Sequence, residues 1–266
     1  MNALKEYFDS VRIDFFAVAK YEDLRVINER ILKREDFSPK SAILFLLPYY
    51  TLTPKNISRY AASLDYHLII REIGEGLIRV LREAFPDAKM KIYGDHSPID
   101  EREAALTHGL GILGKNGLLI NEKYGSYIFI ADLLTDIDPS LLGVTEKGEI
   151  RKCTECGRCL AACPTGILRG EGCDCLSAIT QRKGELTESE ILLMQKYNTV
   201  WGCDLCQSVC PYNKDPRVTP IEAFHRELLS ELSEKALAEM DEEAFKRRAF
   251  AWRGRAVVER NLSFFK

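Results

Sequence analysis

Short apolar runs alternate with segments of helical spacing through the first 140 residues. Phe15 to Ala19 and Ala42 to Leu47 have the length and density of buried strands, and the pattern between them, Asp23 to Arg34, predicts a helix. From Ile57 to Phe85, Tyr60, Leu64, Leu68, Ile69, Ile73, Leu77 and Leu81 recur at helical spacing; Gly74 and Gly76 mark a break or a close approach there. Lys89 to Tyr93 reads as a further strand ended by Gly94-Asp95. After the run Gly109-Leu-Gly-Ile-Leu-Gly114, strands are expected at Leu118 to Asn121 and Tyr127 to Leu133. The alternation predicts an α+β (α/β sandwich) architecture around one central sheet.

Turn residues and charges from Asp136 to Ile150 suggest a boundary, giving an α/β domain over 1–140, a cysteine domain over 141–219 and a helical tail over 220–266. Inside the cysteine domain, Thr187-x-x-Glu190 opens the segment Leu186 to Tyr197 with a capping box, so a helix is expected between two cysteine groups. Beyond Ala244 the tail carries Lys246, Arg247, Arg248, Arg253, Arg255, Arg260 and Lys266 against Glu259. Such a cluster either grips phosphates or solvates a helix end.

The formal net charge of −3 gives no global basic field that would by itself indicate nucleic acid. The N-terminus lacks a basic-then-apolar signal pattern, and the most apolar stretch, Ser41 to Tyr50, is too short to cross a bilayer. A soluble, cytoplasmic protein with no membrane partner is expected.

All nine cysteines lie between Cys153 and Cys210, an odd count in tight spacing that favours metal binding over a disulfide framework. Cys153-x-x-Cys156-x-x-Cys159-x-x-x-Cys163-Pro164 has the spacing of a bacterial-ferredoxin cluster motif, in which three thiolates wrap one cubane and the fourth serves the other. Cys203-x-x-Cys206-x-x-x-Cys210-Pro211 repeats the ending with one cysteine fewer. Cluster one would take Cys153, Cys156, Cys159 and Cys210. Cluster two would take Cys203, Cys206 and Cys163, with Cys173 or Cys175 as the eighth ligand. Structural zinc is the alternative, but Cys-Pro after both motifs favours two [4Fe–4S] clusters.

Trp201-Gly-Cys-Asp-Leu-Cys-Gln-Ser-Val-Cys-Pro-Tyr-Asn213 resembles the second cluster motif of epoxyqueuosine reductases. Arg59-Tyr-Ala-Ala-Ser-Leu-Asp-Tyr-His67, Asp95-His-Ser-Pro98 with Glu101-Arg102, and Gly109-Leu-Gly-Ile-Leu-Gly-Lys-Asn116 resemble three further segments of that family. The resemblance implies a nitroreductase-like cobalamin-binding domain, then a two-cluster ferredoxin-like domain and a short helical tail. It also implies cobalamin beside the two clusters, a tRNA substrate, and an external low-potential electron donor such as ferredoxin or flavodoxin. Cys175-Leu-Ser-Ala-Ile-Thr180 matches the family's C-I-S-Y-L-T, which makes Cys175 the eighth ligand and Cys173 the spare thiol. Asp95 matches the general acid, while Arg59, Lys115, Asn116, Ser177 and Asp204 fall where cofactor contacts are expected.

Two departures accompany the resemblance: Ala178 stands where the family has tyrosine, and the family's C-terminal helical-repeat domain has no counterpart, as in a shortened member. The expected activity is reduction of the epoxide of epoxyqueuosine in tRNA to queuosine. The alternatives are a corrinoid-dependent reductase of a small molecule, as in the related reductive dehalogenases, and a two-cluster electron-transfer protein with no substrate of its own.

Overall fold

Residues 2–172 and 174–265 are described in the computed structural model, which divides into two units: Met1–Pro48 with Ile69–Glu155, and Tyr49–Leu68 with Cys156–Lys266. The segmentation therefore differs from one following chain order. The first unit continues past residue 140 to Glu155, and residues 49–68 join the cysteine-rich unit.

In the first unit, β1 (Phe16–Lys20), β2 (Ser41–Pro48), β3 (Met90–Gly94) and β6 (Ile128–Thr135) form a sheet in the order β1-β2-β6-β3, while β4 (Ile112–Leu113) and β5 (Leu119–Ile120) form a separate hairpin. Every pairing between these named strands is antiparallel. All residues of β2 are buried because both faces of the sheet are covered. On one side Phe8 of α1 (Asn2–Ser10) meets Phe16 and Phe45, with ring centroids 4.6 and 5.3 Å away. On the other, Leu44, Leu46 and Leu134 pack with Ala104, Ala105 and Leu106. A strand buried on both faces reads as a continuous apolar run, without the alternation usual in antiparallel sheets.

Two expected helices are shorter than their hydrophobic patterns. Between β1 and β2 a single turn forms, α2 (Glu29–Leu32), because Asn28 caps it and residues 26–28 run extended, with Val26 bridged to Ile99 and Ile27 N–H bonded to the Pro98 carbonyl. The long helix α3 (Tyr66–Ala84) starts nine residues after Ile57, which instead forms a bridge with Trp201. Gly74 and Gly76 mark close packing: a Cβ at either would overlap Ile92 of β3 or the Tyr7 ring. Next, α4 (Glu101–Thr107) is capped by Asp100, whose Oδ1 accepts the Glu103 N–H at 2.9 Å. The single turn α5 (Pro139–Leu142) follows β6.

The second unit is helical: α6 (Arg158–Ala161), α7 (Leu176–Gln181), α8 (Glu188–Lys196), α9 (Leu205–Ser208), α10 (Glu234–Glu239), α11 (Glu242–Lys246) and α12 (Arg255–Ser263). The expected capping box forms at the start of α8, where Thr187 and Glu190 exchange side-chain and backbone bonds. Trp201 is fully buried among Ile57, Ala61, Ala62, Phe245 and Phe250, and its Nε1 donates to the Tyr60 hydroxyl at 2.9 Å. Asn261 of α12 donates to the carbonyls of Thr180 and Val200, tying the end of the tail into this core. No helix among the described residues is long and apolar enough to cross a membrane.

Candidate functional site

The sulfurs of Cys153, Cys163 and Cys203 have backbone N–H groups beside them, the setting that stabilises thiolates. In the first unit, Cys153 Sγ accepts the N–H of Lys115 at 3.3 Å and of Glu155 at 3.4 Å. The tip of the β4–β5 hairpin delivers that first donor. There the Asn116 side chain accepts the Leu118 N–H, and Gly117 takes φ +81°, which a side chain would strain.

In the second unit, burial raises the Cys163 thiol, but the N–H groups of Leu168, Thr165 and Gly166 and the Thr165 hydroxyl outweigh it and hold the thiol below its ordinary range. Cys203 is pushed up to about 12, first by burial and then by the charges of Cys175, Cys206 and Asp204. Cys175 is therefore close enough to Cys203 to act on its charge. Cys173 lies outside the described residues. Among the described residues no three His, Cys, Asp or Glu side chains close around a single ion. A cubane carries its thiolates on four separate irons, so they need not converge on one point, and these donors fit it.

Arg59 and Asp204 bond to each other. The Asp204 carboxylate accepts the Arg59 backbone N–H at 2.7 Å, its guanidinium at 3.2 Å and the Ser58 hydroxyl at 2.6 Å. The Asp204 carbonyl accepts the N–H groups of Gln207 and Ser208 in α9. This bracket forms one side of a cleft of about 230 Å³ that Asn56, Leu176, Tyr197 and Cys203 also line. Ser177 is engaged within α7, where its hydroxyl accepts the Gln181 amide at 3.0 Å. Of the five expected cofactor contacts, Arg59, Asp204, Asn116 and Ser177 thus have partners within the protein, and Lys115 presents its N–H to Cys153.

Asp95 follows β3 and is exposed, with φ +71°, a left-handed conformation uncommon outside glycine. Its N–H donates to Glu101 Oε1 at 3.1 Å. Behind it stands a group that residue patterns did not single out: Asp132 of β6, opposite Leu44 and Tyr93 in the register and fully buried. Asp132 Oδ2 accepts the Ser97 hydroxyl at 3.1 Å, and the Glu101 and Asp132 carboxyls act on each other electrostatically. Burial and the facing Asp132 charge push Glu101 up to about 9, and burial pushes Asp132 up to about 7. An aspartate in an apolar strand was the available signal.

The tail offers less free charge than its composition suggests. Arg248 is buried and donates to the Glu227 carbonyl at 2.6 Å. Arg255 donates to the carbonyls of Leu237 and Met240, and Arg260 to that of Arg182. Arg247 is paired with Glu227 at 2.8 Å. Trp252 is 60% exposed, with the Arg253 guanidinium 3.7 Å from its ring centroid.

Residues 152–213 match the family model of the 4Fe-4S double cluster binding domain. Together with the α+β unit, this defines an iron–sulfur protein of the double-cluster type. Epoxyqueuosine reductase of Cyclobacterium marinum is 32% identical over 243 residues, covering 85% of this chain and 76% of that protein. Its counterpart from Listeria monocytogenes is 34% identical over 265 residues, covering 89% of this chain and 66% of that protein. The chain belongs to the epoxyqueuosine reductase family. The fold agrees: the Streptococcus thermophilus enzyme superposes with a TM-score of 0.74 at 24% identity, over 99% of this chain and 80% of that one. A crystal structure of epoxyqueuosine reductase with an epoxyqueuosine-modified tRNA-Tyr stem loop gives 0.76 at 24% identity, with the same coverage.

Proposed function

We propose that this chain reduces the epoxide of epoxyqueuosine in tRNA to the alkene of queuosine, taking up two protons, and two electrons from an external low-potential donor such as ferredoxin or flavodoxin, with the oxygen leaving as water. The observation that carries this reading is the match to epoxyqueuosine reductases across both units, rather than across the cysteine motifs alone. Cys153, Cys156, Cys159 and Cys210 are assigned to one cluster, and Cys163, Cys175, Cys203 and Cys206 to the other, on spacing and on the family pattern.

Family membership implies cobalamin, which when bound supplies the low-potential two-electron chemistry that opens an epoxide. Of the residues expected to contact it, Lys115 and Asn116 occupy the hairpin tip, while Arg59, Asp204 and Ser177 line or flank structure within the second unit. The chain's own part in the chemistry falls to Asp95. A carboxylic acid on a turn can deliver the proton that the epoxide oxygen needs, provided that bound substrate desolvates it and so favours its neutral form. Its backbone is fixed by Glu101 while its side chain remains exposed, which suits a group that must meet an incoming ligand.

Nucleoside analysis of tRNA from a strain lacking this protein tests the reading. Epoxyqueuosine should accumulate and queuosine disappear, and the plasmid-borne gene should reverse both. Normal queuosine in the deletion strain would leave a small-molecule corrinoid reductase as the better reading.

A further inference from the structure

We propose that Glu101 is a positioning residue for Asp95: one proton shared between Glu101 and Asp132 clamps the turn that presents Asp95, and loss of that proton releases the turn. The catalytic meaning of the clamp rests on the role given above to Asp95, whereas the clamp itself rests on the two hydrogen bonds that tie the turn to Glu101 and Asp132 and on the orphaned Asp132 oxygen.

The turn from Gly94 to Ile99 is tied at two points to the same pair of carboxyls. Asp95 donates its N–H to Glu101, and Ser97 donates its hydroxyl to Asp132 while its oxygen accepts the Ile99 N–H at 3.3 Å. Aspartate tolerates the left-handed region better than most residues, and here the bond to Glu101 holds it there. Glu101 is not occupied with capping α4, because Asp100 does that.

Asp132 Oδ1 is buried and meets no N–H or O–H donor among the described residues. Two carboxylates bond to each other only through a proton, so a neutral Glu101 would satisfy both the orphaned oxygen and the pair. Tyr21 and Tyr93 also feel the Asp132 charge, but the Tyr93 hydroxyl is spent on Glu35 at 2.8 Å and the buried Tyr21 hydroxyl makes no hydrogen bond to Asp132. Glu35 has Lys91 at 3.8 Å, Asp95 adds negative charge beside Glu101, and His96 on the same turn is exposed. The nearby cations are engaged elsewhere: Arg102 donates to the Gly117 carbonyl, and Arg25 pairs with Asp100 and Glu103. With the proton gone, two buried negative charges repel, Glu101 swings towards water, and the Asp95 N–H loses its acceptor.

Hydrogen exchange of the Asp95 amide in the cluster-loaded protein, corrected for intrinsic exchange, reads the clamp directly. In the parent, protection should be present at pH 6 and fall on the order of tenfold by pH 9. Glu101→Gln keeps an oxygen for the Asp95 N–H and gains an N–H for Asp132, so protection should persist at both pH values. Glu101→Ala should be unprotected throughout, and Asp132→Asn, which can donate to an ionised Glu101, should also lose the pH dependence. Parent protection that ignores pH, or a glutamine variant behaving like alanine, would overturn the proposal. None of these readouts requires turnover. A normal clamp with unaltered tRNA in the deletion strain would count against the proposed substrate alone. A pH-insensitive clamp in an active epoxyqueuosine reductase would count against this inference alone.

Discussion

One oxygen of Asp204, Oδ2, accepts both the backbone N–H and the guanidinium of Arg59. The two side chains are 8% and 14% exposed, so this is a nearly dry ion pair. Removing one partner would leave the other charge buried. Asp204→Ala should therefore cost about 3 kcal/mol in denaturant unfolding. Arg59→Gln should lose stability before it loses cobalamin affinity. Weaker cobalamin binding at unchanged stability would restore Arg59 as a cofactor contact.

Anaerobic reconstitution should load about eight irons per chain on two cubanes. Cys175→Ser should reduce the iron content to roughly half of that, since its neighbours Cys203 and Cys206 would lose their fourth partner. Cys173→Ser should retain the full content. The reverse result would exchange their roles.

Asparagine at position 95 preserves the backbone bond to Glu101 but cannot supply an acidic proton. Asp95→Asn should keep both clusters and bound cobalamin while turnover drops roughly 10²-fold, the common scale for a lost general acid. Near-parental turnover would reduce Asp95 to a turn former.

Stability should fall as the solution becomes alkaline. Glu101 and Asp132 have folded-state pKa values raised above those of the unfolded chain, so the native state holds more protons than the unfolded state above about pH 4. The unfolding free energy should decline with a slope of up to ~1.4 kcal/mol per pH unit for one proton, and the decline should end near the upper folded value. Glu101→Gln should flatten this profile between pH 6 and 9. Urea titrations at several pH values would reveal the difference.

For the proposed tRNA substrate, Arg253 and the exposed Trp252 would be the better contacts in the tail, since a base can stack on the indole face that Arg253 does not cover. Trp252→Ala should weaken binding of a tRNA stem loop by about 1–3 kcal/mol. Arg253→Gln should lower the log–log salt slope by about one unit. Arg248→Gln should instead reduce stability, because that guanidinium is buried against the Glu227 carbonyl. Equal loss of RNA affinity in all three variants would contradict this division.

The strands and the double-cluster domain were legible because their signals are local. β2 is a dense apolar run, and the two Cys-Pro endings fix cluster type through spacing. The helix over-extensions arose where a tertiary pairing captured residues of helical periodicity: Val26 with Ile99, and Ile57 with Trp201. Asp132 escaped notice because its partner lies on α4, far away in sequence, and no local pattern distinguishes a buried aspartate from a tolerated one. The tail misled for a related reason. Composition counts guanidinium groups, while availability depends on the carbonyls of Glu227, Leu237 and Met240 that claim them.

The discontinuity of the second unit bears on how the chain can be made. Residues 49–68 leave the ribosome well before the cysteine runs, and Ser58 must wait for Asp204, 146 positions later. Loop closure on that scale belongs among slow, non-local folding events. Until it occurs, Ile57, Ala61 and Ala62 lack the Trp201 core they belong to, and iron delivered early would meet an incomplete scaffold. A fragment begun at residue 150 would carry all nine cysteines and yet lack part of its own interior. The redox portion of this protein is therefore no cassette that can be cut out of the sequence at a single point.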